Sequence, residues 1–267
     1  MPETTRTDPD NLQFLTRADG ERLAVSRLDG SKPGVIFLGG LRSDMNGAKA
    51  LRVEAVCRRE GRACIRFDYS GHGRSGGRFE DGTISSWLAD ATQVVEHAGE
   101  GPHILVGSSL GGWLALLLAI EKPGSAAAIV GISAAADFTA YVRDSLFSDA
   151  HRKELAEDGR VLVPDCHGGP PFVITRALIE DGEHHLLLNR KSLPIGCPVR
   201  LIHARKDRDV PWDTGLKLSE TMQSDDVHVT IIKDGEHQLA RASDLEILEA
   251  ALMSMFATTP VLKQSVA

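Results

Sequence analysis

The sequence predicts an α/β fold, in which one mostly parallel sheet carries helices on both faces. Three observations predict it. Short apolar runs rich in β-branched residues alternate with stretches of helical period along most of the 267 residues. Runs such as Val35-Ile36-Phe37-Leu38 are apolar throughout, as strands covered on both faces are. A hydrophobic share of 42% in a chain of this length is enough for one well-cored domain.

Taken in order, residues 12–28 can supply two antiparallel edge strands. Residues 35–38 form the first buried strand, followed by a helix over 48–59 and a strand over 63–67. A Gly-rich loop then leads to a helix with Ile84, Trp87, Leu88, Ala91, Val94 and Val95 on one face. Residues 104–106 are a strand, and 110–120 a helix apolar nearly all round and therefore buried. Further strands cover 127–132, 199–203 and 227–232. A closing helix shows Leu245, Leu248, Leu252 and Met255, with Ser243 as its N-cap.

The alternation breaks between Phe138 and Pro194. No clean strand is visible there, and Pro164, Pro170 and Pro171 interrupt it. A structureless loop of that length does not suit a compact domain. The expectation is a helical cap over 137–194, inserted before the strand at Val199. It separates core segments 12–136 and 195–260, and residues 1–11 read as a disordered tail.

Composition excludes several classes. The net charge of −7, with no Lys/Arg run, argues against a nucleic-acid partner. The longest apolar run, 113–120, is too short for a membrane span. Cys57, Cys64, Cys166 and Cys197 show no zinc spacing, so no metal or other cofactor is expected. The first ten residues carry acids and no apolar core of a leader. With reduced cysteines, this reads as a cytoplasmic protein.

Chemistry concentrates at Gly107-Ser108-Ser109-Leu110-Gly111, a G-x-S-x-G match. Chance supplies that pattern in about one chain in ten of this length. The setting raises it, because a buried strand runs directly into it and a helix opens at Leu110, the strand-turn-helix that lifts a serine hydroxyl clear of a sheet edge. Gly73-Arg74-Ser75-Gly76-Gly77 matches too, but no helix follows it. The overlapping Gly71-His72-Gly73-Arg74-Ser75-Gly76 spells a dinucleotide fingerprint, and fails because no helix begins at its third glycine.

A serine hydroxyl needs a base, and the base a carboxylate to orient it. Asp207 follows the strand at 199–203 and is favoured over Asp209, which precedes Val210-Pro211 and suits the turn or the next helix cap. His237 is the histidine on the loop after the last strand. His203 reads as packed, and His184 and His185 as polar cap surface. Oxyanion donors are expected from the backbone N–H of Leu110 and of Leu41, the latter in Gly39-Gly40-Leu41.

With these residues placed, the chain resembles the α/β-hydrolase branch of mitochondrial palmitoyl-protein thioesterases and acyl-glucuronide esterases. The likeness rests on Met45-Asn46-Gly47 with Lys49-Ala50-Leu51, on Ala63-Cys64-Ile65-Arg66-Phe67-Asp68-Tyr69-Ser70-Gly71, and on Leu105-Val106-Gly107-Ser108-Ser109-Leu110-Gly111-Gly112-Trp113-Leu114. Glu183-His184-His185 and Val210-Pro211-Trp212 add to it. The resemblance implies the α/β-hydrolase fold and a triad on Ser109, Asp207 and His237. Gly39-Gly40-Leu41 and Ala204 depart from the family pattern, and the absent transit peptide points to a bacterial-type cytoplasmic relative.

The expected function is cleavage of esters or thioesters of apolar acyl groups through an acyl-enzyme on Ser109, with a small-molecule or acylated substrate as partner. Alternatives on the same triad are a general carboxylesterase or an acyltransferase. A catalytically silent binding protein is the alternative of a different class. Phe138, Tyr141, Leu146, Phe147, Phe172, Val173 and Ile174 offer apolar surface in the cap, most of it expected to join cap to core.

Overall fold

The computed structural model describes residues 12–165, 168–259 and 261. The predicted tail over 1–11 lies outside the described residues. The chain opens with β1 (Leu12–Thr16) and β2 (Arg22–Leu28), an antiparallel pair. It continues through β3 (Ser31–Leu38), α1 (Ala48–Arg59), β4 (Arg62–Phe67) and α2 (Ile84–His97). Then come β5 (His103–Ser108), α3 (Leu110–Glu121) and β6 (Ala126–Ile132). These bounds follow the apolar periodicity, with β3 starting four residues before the run that reveals it.

Residues 138–193 hold α4 (Phe138–Tyr141), a π-helical turn at Val142–Leu146, and α5 (Asp149–Asp158). An antiparallel pair follows, β7 (Arg160–Val163) with β8 (Phe172–Thr175), and then α6 (Arg176–Gly182). The expectation of no strand here is corrected. Strands of four residues, one with a half-exposed Leu162, give too little alternation to register.

The chain ends with β9 (Val199–Ala204), α7 (Thr214–Thr221), β10 (Val227–Ile232) and α8 (Ala242–Thr258). Ser243 is not the cap of α8. Arg241 holds that position, and the Asp244 carboxylate accepts from the Arg241 backbone N–H at 3.1 Å. A carboxylate inside the first turn satisfies the orphan donor that a capping serine would otherwise serve.

The eight-stranded sheet has the order β1-β2-β4-β3-β5-β6-β9-β10. β2 is antiparallel to both neighbours, and every pair from β4 to β10 is parallel. One apolar core joins one sheet face to α2, α3 and the 138–195 segment. A second joins the other face to α1 and α8. This two-sided cover explains why the central strands are apolar without alternation.

The 138–193 segment is fastened to the core at polar points. Asp137 accepts from the N–H groups of Leu187 at 2.7 Å and Leu188 at 2.9 Å, so the segment's two ends meet at one carboxylate. His185 is half-buried and meets Ser85 Oγ through Nε2 at 2.8 Å, while its carbonyl accepts from Trp113 Nε1 at 3.2 Å. It is therefore a tie to α2 and α3, not open polar surface, whereas His184 is exposed.

Candidate active site

Parallel β-strands end at one edge of the sheet, and the loops that leave that edge collect side chains from distant parts of the sequence. Ser109 stands there between β5 and α3, with φ 53° and ψ −117°. That conformation is costly for any residue with a Cβ. The turn exists because backbone crowds it on both sides. A Cβ on Gly107 would lie 2.2 Å from the Gly111 carbonyl oxygen, and one on Gly111 would lie 2.1 Å from that of Leu38.

The candidate residues come together. His237 Nε2 lies 3.0 Å from Ser109 Oγ, and its Nδ1 lies 2.8 Å from Asp207 Oδ2. The other Asp207 oxygen accepts from the N–H groups of Asp209 and Val210, both at 2.9 Å. Burial pushes the Asp207 carboxyl up, but the His237 hydrogen bond and charge and those two amides outweigh it and hold its pKa below the usual carboxylate range. The His237 loop is tied at the backbone as well. Ser133 Oγ donates to the His237 carbonyl at 3.2 Å, and Lys49 Nζ donates to that of Gln238.

Lys49 carries a perturbed ammonium. Desolvation lowers its pKa to about 8, against the opposing pull of Asp207 and Asp244. Sequence reasoning placed it on a helix and in a segment shared with the family, but gave it no role, because nothing local links α1 to a loop 189 residues away. Asp209, set aside in favour of Asp207, also reaches the site, with Oδ2 3.8 Å from His237 Nε2. His203 is fully buried as expected, and desolvation lowers its pKa to about 4.

The two loops expected to supply oxyanion donors flank the serine. Leu110 is the first residue of α3, so its N–H has no partner within the helix. A Cβ on Gly40 would lie 3.4 Å from Ser109 Cβ, which sets Leu41 beside the serine. The alternative serine, Ser75, is structural. It donates to the Asp68 carbonyl at 2.6 Å and accepts from the Ala24 N–H at 2.8 Å.

Asp207, Asp209 and His237 each bring one ligand atom within 4.8 Å of the others. Both ring nitrogens of His237 are engaged, by Asp207 and Ser109.

A cavity of about 660 Å³ opens over Ser109 and His237. Of the apolar residues expected in the cap, Phe138, Leu146, Phe147, Phe172 and Ile174 line it, and Tyr141 and Val173 do not. The expectation that most would only join cap to core is corrected. Val142 and Val163 complete the apolar wall, and Arg42, Lys49 and Arg208 stand among the polar residues of the other side.

The sheet order, the strained serine turn and the hydrogen-bonded Ser-His-Asp series define a hydrolase of the α/β-hydrolase class. Comparison with known proteins agrees. The family described as "Serine aminopeptidase, S33" matches residues 35–157. The chain is 39% identical over 239 residues to human "Palmitoyl-protein thioesterase ABHD10, mitochondrial", covering 89% of this chain and 78% of that protein. It superposes on mouse "Alpha/beta hydrolase domain-containing protein 10" with a TM-score of 0.84 and 39% identity, over 92% of this chain and 98% of that one. A putative hydrolase from Agrobacterium vitis S4 gives a TM-score of 0.87 at 39% identity, over 92% and 99%.

The chain belongs to the α/β-hydrolase family of the ABHD10 thioesterases, and is an enzyme of the esterase and thioesterase kind. No helix among the described residues is long and apolar enough to cross a membrane.

Proposed function

We propose that this chain hydrolyses thioesters and esters of apolar acyl groups through an acyl-enzyme on Ser109. The observation that carries the reading is the continuous series Asp207–His237–Ser109, at 2.8 and 3.0 Å, beneath a cavity whose far wall is apolar.

In the first half-reaction, Ser109 Oγ bonds to the carbonyl carbon as His237 Nε2 takes its proton. The carbonyl electrons move onto oxygen, where the N–H groups of Leu41 and Leu110 hold the oxyanion. Collapse breaks the C–S or C–O bond, and the imidazolium gives its proton to the leaving thiolate or alkoxide. In the second half, water attacks the acyl carbon and passes a proton to Nε2. Collapse releases the acid and returns a proton to Oγ. Asp207 stays ionised throughout, and its depressed pKa suits that role: it orients the ring and balances the imidazolium charge.

A cavity of about 660 Å³ is within the usual range for sites that enclose a small molecule. Phe138, Val142, Phe147 and Ile174 offer the acyl chain a dry wall, and the relatives' naming as palmitoyl-protein thioesterases puts long-chain thioesters first among substrates to test. The free thiols Cys57, Cys64 and Cys197 suit a reducing compartment such as the cytoplasm, while the relatives are named as mitochondrial. Cell fractionation decides between the two.

The test is labelling by a fluorophosphonate, followed by a panel of p-nitrophenyl esters and acyl-CoA thioesters of graded length. Wild type labels and turns over, and Ser109→Ala does neither. Equal labelling of both proteins removes Ser109 from the mechanism.

A further inference from the structure

The turn after β3 contains a residue out of place. The Gly40 carbonyl accepts from the Ser43 N–H at 3.1 Å and from Ser43 Oγ at 2.7 Å, closing a four-residue turn with Leu41 and Arg42 at its centre. Arg42 has φ 62°, at the third position of the turn, where glycine is the usual residue because a Cβ there is strained. A turn of this kind engages only its first carbonyl and last N–H, which leaves the Leu41 N–H available to a ligand. The geometry of that amide therefore depends on what holds Arg42 in a conformation it would not adopt on its own.

What holds it is the inserted segment. Arg42 Nη1 lies 2.8 Å from Asp165 Oδ2, and Nη2 donates to the Pro170 carbonyl at 3.0 Å. The guanidinium also stacks over the Phe172 ring, 4.5 Å from its centroid. Three contacts of different kinds thus converge on one fork, from Asp165, Pro170 and Phe172, all more than 120 positions away. Phe172 and Asp165 line the same cavity as Leu41 and Ser109. A lysine could supply the charge but neither the second donor direction nor the planar stack.

We infer that Arg42 is a positioning residue for this reaction: by gripping Asp165, Pro170 and Phe172 it fixes the Leu41 N–H at the oxyanion. The inference rests on the reading of Leu41 as an oxyanion donor. It makes the inserted segment part of the catalytic geometry, so that the segment's contact with Arg42 sets kcat as well as enclosing the acyl chain.

The test uses the full chain with p-nitrophenyl acetate, whose two-carbon acyl group does not need the apolar wall. Displacing a catalytic group by about an ångström can cost about a hundredfold in rate. Arg42→Ala is therefore expected to lower kcat at least about tenfold, with KM within about twofold and the melting temperature little changed. Arg42→Lys is expected to recover part of the loss. Asp165→Asn and Phe172→Leu, which leave the turn itself untouched, should each lower kcat in the same direction.

A short-chain trifluoromethyl ketone, which binds as an oxyanion adduct, should lose affinity in proportion to kcat/KM across the four variants. A merely structural role would not give that proportion. The inference fails if kcat on the acetate ester is unchanged in Arg42→Ala, or if it falls in Arg42→Ala but not in the two variants of the insert. Fluorophosphonate labelling of wild type separates the two readings. If Ser109 does not label, the proposed mechanism is at fault. If Ser109 labels and Arg42→Ala matches wild type, only the role of Arg42 falls.

Discussion

Asp207 and Asp209 are two positions apart and behave as different acids because their surroundings differ. The Asp207 side chain is fully buried and accepts one ring N–H and two amides, whereas Asp209 is about a third exposed and 3.8 Å from His237 Nε2. Removing the carboxylate that fixes the base's tautomer costs about 10⁴ in kcat in triads of this kind. Asp207→Asn should therefore lose about that much, while Asp209→Asn stays within about tenfold. The reverse order in steady-state kinetics would transfer the orienting role to Asp209. Beneath them, His203 makes a second prediction. Burial holds its pKa near 4, against 6.5 for a free imidazole, so the fold keeps it neutral while the unfolded chain takes up a proton. Stability from this group is present above pH 6.5 and is lost as pH falls toward 4. Between pH 7 and pH 5 the loss is about 2 kcal/mol. Urea titrations at the two pH values should show a smaller difference in His203→Leu than in wild type. Ser109, Asp207 and His237, which the structure brings together, were legible as a candidate series because each follows a readable strand. Arg42 was not, since its partner Asp165 lies 123 positions away on a segment with no clear period.

At the scale of elements, the turn from β5 into α3 shows how the glycines of a short motif divide the work. Ser109 takes the strain, and the glycines either side let backbones meet. A methyl on Gly111 would be driven into the Leu38 carbonyl at 2.1 Å, which is fixed by β3 in the middle of the sheet. A methyl on Gly112 would meet Ala134 Cβ at 2.7 Å and Cα at 2.8 Å, just after β6, a longer approach than the one at Gly111. Gly111→Ala is expected to destabilise by about 3 kcal/mol and to cut turnover sharply, with Gly112→Ala milder on both counts. Chemical denaturation and a kcat measurement check the order, and equal stability of Gly111→Ala and wild type would contradict the close approach. The glycine pattern was readable because it reflects packing local to the turn. The β7–β8 pair was not, because strands of four residues have no period to show. The cap of α8 was misread for a related reason. Ser243 has the chemistry of an N-cap, but Asp244 reaches back to Arg241 and moves the start of the helix.

In the molecule as a whole, two parts of the chain with different readability make one cavity. The sheet supplies Ser109, His237 and the flanking amides at its strand ends, and its alternation of strand and helix announced it. The insert supplies the apolar wall, and its composition named the apolar candidates without separating Phe138, Leu146, Phe147, Phe172 and Ile174, which line the cavity, from Tyr141 and Val173, which do not. Asp137 joins the insert's two ends by accepting from Leu187 and Leu188, so its wall is held at a fixed distance from the sheet edge. A fixed wall makes acyl length a question of volume. Val142 lines the cavity from the π-helical turn and is largely buried there. Val142→Phe adds roughly four heavy atoms on that side while leaving the serine, the base and the amides as they are. Turnover of long-chain acyl thioesters should then fall at least about tenfold in kcat/KM, since each buried methylene excluded is worth about 0.8 kcal/mol of binding. Hydrolysis of p-nitrophenyl acetate should stay within about twofold. A uniform loss across chain lengths would mean that Val142 shapes the catalytic edge and not the acyl wall, and an unchanged profile would mean that the acyl chain leaves the cavity by another side.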